Sequence, residues 1–142
     1  MTTQSWELYP HEADMGIRGS GDTIEESFAM SAMALTAIIT TPENVLHEIP
    51  VTFTCDAPDD ELLLVDWLNS VIFEMATRQM LFGRFEVLIT SHHLQATAWG
   101  EKVRIDKHQP AVEVKGATYT DLRVYQTDEG KWIARCKAGY YL

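Results

Sequence analysis

His11-Glu12-Ala13-Asp14-Met15-Gly16-Ile17-Arg18-Gly19-Ser20-Gly21-Asp22-Thr23-Ile24-Glu25-Glu26 sets a histidine, several carboxylates and a glycine turn immediately ahead of a helix start. Thr23 as N-cap with Glu26 as third helical residue makes a capping box, which satisfies two orphan backbone donors reciprocally. Asp22 with Glu25 fits the same pattern. Acidic residues in the first turn also suit the helix dipole. Ile24, Phe28, Ala32, Leu35 and Ile39 then recur at three- and four-residue spacing and give one apolar stripe. Thr40-Thr41-Pro42 ends it, because proline disfavours helical geometry in the residue before it.

Outward from that helix the period changes. Trp6 to Tyr9 reads as a short strand, and Met15 to Arg18 as a second extended piece. Ile49 to Cys55 alternates and is β-branched, so it reads as a strand. Asp59 or Asp60 caps a second helix, in which Leu62, Leu63, Val65, Trp67, Leu68, Val71, Ile72 and Met75 cover much of the circumference. A helix apolar on most sides belongs in the core. From Phe85 onward the period is two: Phe85, Val87 and Ile89, a turn near Ser91-His92-His93, then Leu94, Ala96 and Ala98. The segments Val103 to Ile105, Val112 to Val114, Leu122 to Val124 and Trp132 to Ala134 continue it, with a hairpin turn at Asp128-Glu129-Gly130. The expected fold is α+β: one domain over residues 1–142, an antiparallel or mixed sheet with both helices on a single face.

A chain of 142 residues is long enough for a core without staples. Cys55 and Cys136 lie in strand-like apolar surroundings and read as free buried thiols. No apolar run approaches the ~20 residues that span a bilayer. Met1 to Trp6 lacks a basic segment followed by an apolar one, so a cytoplasmic location is expected. Net charge is −10, and residues 1–61 hold 12 acidic residues against one basic, Arg18. Such a surface repels a phosphate backbone, so tight direct nucleic-acid binding is not expected. A carboxylate-rich half suits a divalent cation or a basic protein surface, although solubility alone also accounts for it.

His11, Glu12 and Asp14 place a histidine and two carboxylates within four residues, a set able to ligate a metal or run acid–base chemistry. On spacing alone a solvated loop outranks a metal site. Lys115, within Val114-Lys115-Gly116-Ala117-Thr118-Tyr119, is the second candidate; outward and solvated is the commoner orientation, and burial would require a carboxylate partner. His47 and His108 lack spaced partners and read as surface histidines. No phosphate-cradling glycine loop, nucleophile elbow or CxxC pair is present.

Three segments together resemble the archease family. The first is His11-Glu12-Ala13-Asp14 running into Gly21-Asp22-Thr23-Ile24-Glu25-Glu26-Ser27-Phe28. The second is Asp60-Glu61-Leu62-Leu63-Leu64-Val65-Asp66-Trp67-Leu68-Asn69. The third is Trp99-Gly100-Glu101, Lys107-His108 and Val114 to Tyr119. They span the chain nearly end to end, in order. The resemblance implies an α+β sandwich that activates the RNA-splicing ligase, an enzyme dependent on GTP and a divalent metal that joins 3′-phosphate or cyclic-phosphate RNA ends to 5′-hydroxyl ends. The family is identified with guanylylation of the ligase histidine and its repeated turnover. On this resemblance Asp14 holds or presents a divalent cation (Ca, Mg or Mn) for the ligase, and Lys115 orients that carboxylate or reaches a nucleotide phosphate.

The sequence departs from the family pattern twice. Glu12 stands where the alanine-aspartate motif follows threonine, and Gly139, followed by Tyr140, stands where the family has an aspartate. The ligands left are Asp14, Glu12 and a backbone carbonyl near Tyr140, or the Leu142 carboxylate, while Lys137 in the same stretch repels a cation. Cation binding is therefore expected to be weak or lost. The leading expectation is a non-enzymatic ligase activator, monomeric or a small homo-oligomer and away from membranes. The second is a metal- or ligand-binding module with another protein partner. An acid–base enzyme built on His11, Asp14 and Lys115 ranks last, because no nucleophile–base–orienter set is present.

Overall fold

The computed structural model describes residues 3–11 and 13–141. Strands β1 (Ser5–His11) and β2 (Asp14–Gly21) form a hairpin, followed by helix α1 (Ile24–Ile39). Thr23 is its N-cap: the side chain accepts the Glu26 N–H at 3.1 Å. Glu26 Oε1 in return accepts the Asp22 N–H at 2.8 Å, one residue earlier than in the standard box. Thr40 caps the other end, ahead of a 3-10 turn at Pro42–Asn44. Strand β3 (Ile49–Asp56) leads to α2 (Asp60–Arg78), capped by Asp59 through the Leu62 N–H at 2.8 Å. Long strands β4 (Met80–Thr90) and β5 (His93–Lys102) follow, turning at Ser91 and His92, both of positive φ. A short helix α3 (Ile105–His108) and strands β6 (Glu113–Ala117), β7 (Arg123–Gln126) and β8 (Trp132–Tyr141) complete the chain.

The α+β class and the antiparallel pairing match the sequence reading, but the single sheet does not. Two sheets form: β1-β2-β8-β6, with β7 also on β8, and β3-β5-β4. α1 packs on β2 and β4, so it touches both sheets; α2 likewise touches β6 and β7 of one and β3 and β4 of the other. The expected strand over Val103 to Ile105 is also absent, because β5 ends at Lys102 and the chain turns into α3. Cys55 and Cys136 are free and buried, as expected. Among the described residues no helix is long and apolar enough to cross a membrane.

Trp67 of α2 lies at the centre of the core. It is fully buried, and its indole N–H donates to the Phe28 carbonyl of α1 at 3.0 Å. Its ring meets Phe53 of β3 and Phe85 of β4 edge-on, with centroids 5.2 and 6.0 Å away. One side chain thus ties both helices to the three-stranded sheet.

His108 corrects an expectation. Its side chain is fully buried, not on the surface. Nδ1 accepts the Arg104 N–H at 2.9 Å, so the ring proton lies on Nε2, which donates to Glu101 Oε2 at 3.0 Å. Glu101 Oε2 also accepts from Lys107 Nζ at 2.6 Å and from the Leu46 N–H at 2.8 Å. Burial pushes the Glu101 carboxyl up, but these three donors outweigh it and hold its pKa at about 2. The cluster fastens the α3 segment against β5 and the chain after the 3-10 turn.

Trp67→Ala is expected to cost about 3–5 kcal/mol in denaturant unfolding, since it empties a packed site and removes the indole bond to the Phe28 carbonyl. A depressed carboxyl pKa adds stability above its ordinary value near 4.5, and that stability fades as pH falls toward about 2. Glu101→Gln should therefore flatten the acid limb of stability against pH, and Glu101→Ala should cost about 2 kcal/mol at neutral pH.

Candidate functional site

The β2–β8 ladder builds the site. Its register sets Asp14 opposite Gly139, Gly16 opposite Lys137 and Arg18 opposite Arg135. Side chains of paired residues share a face, so these six lie on the side of the sheet away from buried Ile17, Ala134, Cys136 and Ala138. Asp14 is half-buried at the start of β2, opposite His11 across the hairpin; Glu12 and Leu142 lie outside the described residues. On the far side of β8, the β6 register shifts between Val114 and Gly116, and Lys115 sits at that irregularity. It is exposed, with its ammonium 4.2 Å from the centroid of the Tyr141 ring.

Gly139 is where these elements converge. A Cβ on it would lie 3.7 Å from Lys115 Cδ and 3.8 Å from Asp14 Oδ1. The structure therefore brings Asp14 and Lys115 to the same glycine. Tyr140 it does not bring: its register partner is Val114, and alternation puts its side chain on the opposite face from Gly139. Only its backbone remains near the seat, the atom type that the sequence reading invoked.

Two features escaped sequence reading. Lys137, taken there for a cation-repelling residue, is 6 % exposed, and the described residues offer it no carboxylate within 4.0 Å. The chain between β6 and β7 closes over its flank: the Lys137 carbonyl accepts from the Thr118 N–H and hydroxyl, and its N–H donates to Thr120. The second feature is Asp121, in the same loop at φ 58°. Its carboxylate accepts from the Tyr9 hydroxyl at 2.6 Å and faces Arg135 at 3.5 Å. The Tyr9 hydrogen bond, with Arg135, Lys137 and Arg18 nearby, holds its carboxyl below the usual range despite opposing burial. Tyr9 lies flat over Gly16, where a Cβ would come within 2.1 Å of the ring.

Divalent cations such as calcium take six to eight oxygen ligands, usually with several carboxylates. The described part of this seat offers one carboxylate, Asp14, with a glycine opposite and the ammonium groups of Lys115 and Lys137 on the same face. Among the described residues no group of three or more His, Cys, Asp or Glu side chains is placed to hold a metal. These described donors alone are too few for a divalent-cation site.

Comparison with known proteins gives a consistent result. Residues 6–137 match the model of the Archease protein family. The chain is 35% identical over 136 residues to protein archease of Pyrococcus furiosus, covering 93% of this chain and 96% of that one. It is 36% identical over 134 residues to protein archease of Pyrococcus abyssi, covering 92% and 94%. The solution structure of protein 1598 of Methanobacterium thermoautotrophicum superposes with a TM-score of 0.78 at 30% identity, covering 95% and 98% of the two chains. An archease crystal structure from Thermotoga maritima shares the fold with a TM-score of 0.55, covering 96% of each chain.

A carboxylate can be restored to the seat without strain, because the Cβ contacts at Gly139 are ordinary van der Waals distances and no positive φ is required. In calcium-dependent thermal unfolding, Gly139→Asp is expected to gain a stabilising shift that the unaltered chain lacks. Adding Lys137→Met should enlarge that shift by removing a buried like charge.

Proposed function

Because this chain belongs to the archease family, we propose that it is an accessory protein that activates a GTP- and metal-dependent RNA-splicing ligase, promoting the ligase's guanylylation and repeated turnover. The observation that carries this reading is the meeting of Asp14 and Lys115 around Gly139, at the end of the sheet where the family resemblance puts functional residues. Lys115 is exposed and reaches outward, suited to a phosphate oxygen of a nucleotide in a partner's pocket. Asp14 lies across the glycine from the Lys115 side chain, whose ammonium rests against the Tyr141 ring. RNA contact belongs to the ligase, since a chain of net charge −10 repels a phosphate backbone. The cation that the resemblance implies is weak or lost here, and the metal of the reaction is the ligase's own.

A second reading has one specific observation in its favour. Glycine at 139 and a buried lysine at 137 set this chain apart from a cation-presenting site. They suit a binding module that has kept the scaffold and changed its protein partner. Capture by immobilised protein separates the two readings, because only the first recovers the RNA-splicing ligase of the same organism.

The decisive assay is multiple-turnover joining of broken RNA by that ligase, with and without this protein. Stimulation is expected, and Lys115→Ala or Asp14→Ala should reduce it by about tenfold or more, the scale on which positioned charges act. Both residues lie at the surface or half-buried, so the variants should fold. Undiminished stimulation by both variants would overturn the reading.

A further inference from the structure

Sheet edges expose unpaired backbone groups, and folded proteins close them with charges, bulges or covering elements. Here the helices supply much of that closure. Glu25 of α1 accepts the Ile89 N–H of β4 at 3.4 Å. Glu61 and Asn69 of α2 accept the N–H groups of Val124 in β7 at 3.2 Å and of Ala117 in β6 at 2.9 Å. Strand β3 is the other edge of the three-stranded sheet, and among the described residues no helix side chain bonds to its backbone in this way. Among the described residues, the backbone of Val51 to Cys55 has no hydrogen-bond partner beyond the β5 ladder. The bond from the Ala57 N–H to the His92 carbonyl fixes the phase of that ladder. Counting back in twos, Cys55, Phe53 and Val51 bond to β5, so the N–H and C=O groups of Thr52 and Thr54 point outward.

That open edge borders a groove of about 500 Å³ between β3 and α2. Its α2 wall presents Asp66, Ser70, Phe73 and Glu74. Phe73 is 62% exposed, the one large apolar side chain that α2 leaves exposed. Glu74 is paired with Arg78, whereas Asp66 has no cation within 4.0 Å among the described residues. No lysine or arginine lines the groove. Asp56, hydrogen-bonded to His93 at 2.7 Å, closes the end of the strand.

We propose that β3 accepts an extended, basic segment of a protein partner by strand addition. Main-chain bonds would form to Thr52 and Thr54, with an apolar side chain against Phe73 and a lysine or arginine facing Asp66. Self-association through the same edge would set these carboxylates against their own copies, in a chain already at −10. The site lies on the three-stranded sheet, apart from Asp14 and Lys115, and does not depend on the ligase reading.

Backbone amide exchange tests it, using as probe a capped octapeptide of alternating lysine and valine and its counterpart of alternating glutamate and valine. In the unliganded protein the amides of Thr52 and Thr54 should exchange quickly, unlike those of Phe53 and Cys55. The lysine peptide should slow them by at least about tenfold, the glutamate peptide should not, and Asp66→Lys or Phe73→Ser should each weaken the effect by about tenfold. Both substituted residues are exposed, so folding is retained. Equal protection by both peptides, protection by neither, or Thr52 and Thr54 amides protected in the unliganded protein together with a dimer in sedimentation would each overturn the proposal.

Discussion

Eight consecutive register pairs hold β2 to β8, from Asp14 opposite Gly139 to Gly21 opposite Trp132. This pairing joins residues more than a hundred positions apart and orders both sides of the sheet. On the inner side Ile17, Ala134, Cys136 and Ala138 form the floor on which α1 rests. Gly19 permits the close approach, since a Cβ there would lie 2.3 Å from Ser27 O and Ser31 N, and the Ser31 hydroxyl donates onward to the Ala134 carbonyl. On the outer side the same register aligns Asp14, Gly16 and Arg18 with Gly139, Lys137 and Arg135. A slip of one residue would send the core residues to solvent and scatter the candidate site.

The helices were legible because their signals are local. Caps at Thr23 and Asp59 and the stop before Pro42 act within a few residues, and the structure places them there. Strand alternation gave which side chains face inward, but not which strands pair. β3 pairs with β5, and Trp67 meets Phe53 and Phe85 in the core, contacts with no one-dimensional signature. His108 was misread for a related reason. A histidine in a polar run looks exposed until the chain folds back to bring Glu101 and the Arg104 N–H to its two nitrogens.

The candidate site was half legible. Asp14, Lys115 and Gly139 were named from motif order, and the geometry gathers them. Lys137 was noticed as a charge in the wrong place, yet its burial depends on the Thr118–Asp121 loop closing beside it, which no pattern in that loop announces. The same loop delivers Asp121 to Tyr9 and Arg135, and sequence reading assigned Asp121 no role. Gly139 leaves Asp14 without a carboxylate opposite it, and Lys115 and Lys137 supply positive charge to this face.

On the proposal made above, Asp14 works beside covalently held cations and not around a bound one. A crystal structure grown in excess calcium decides between the two. The Asp14 carboxylate is expected beside Lys115, with water alone at the Gly139 seat. A calcium ion ligated there by Asp14 with the Glu12 carboxylate or a Tyr140 carbonyl would overturn the proposal.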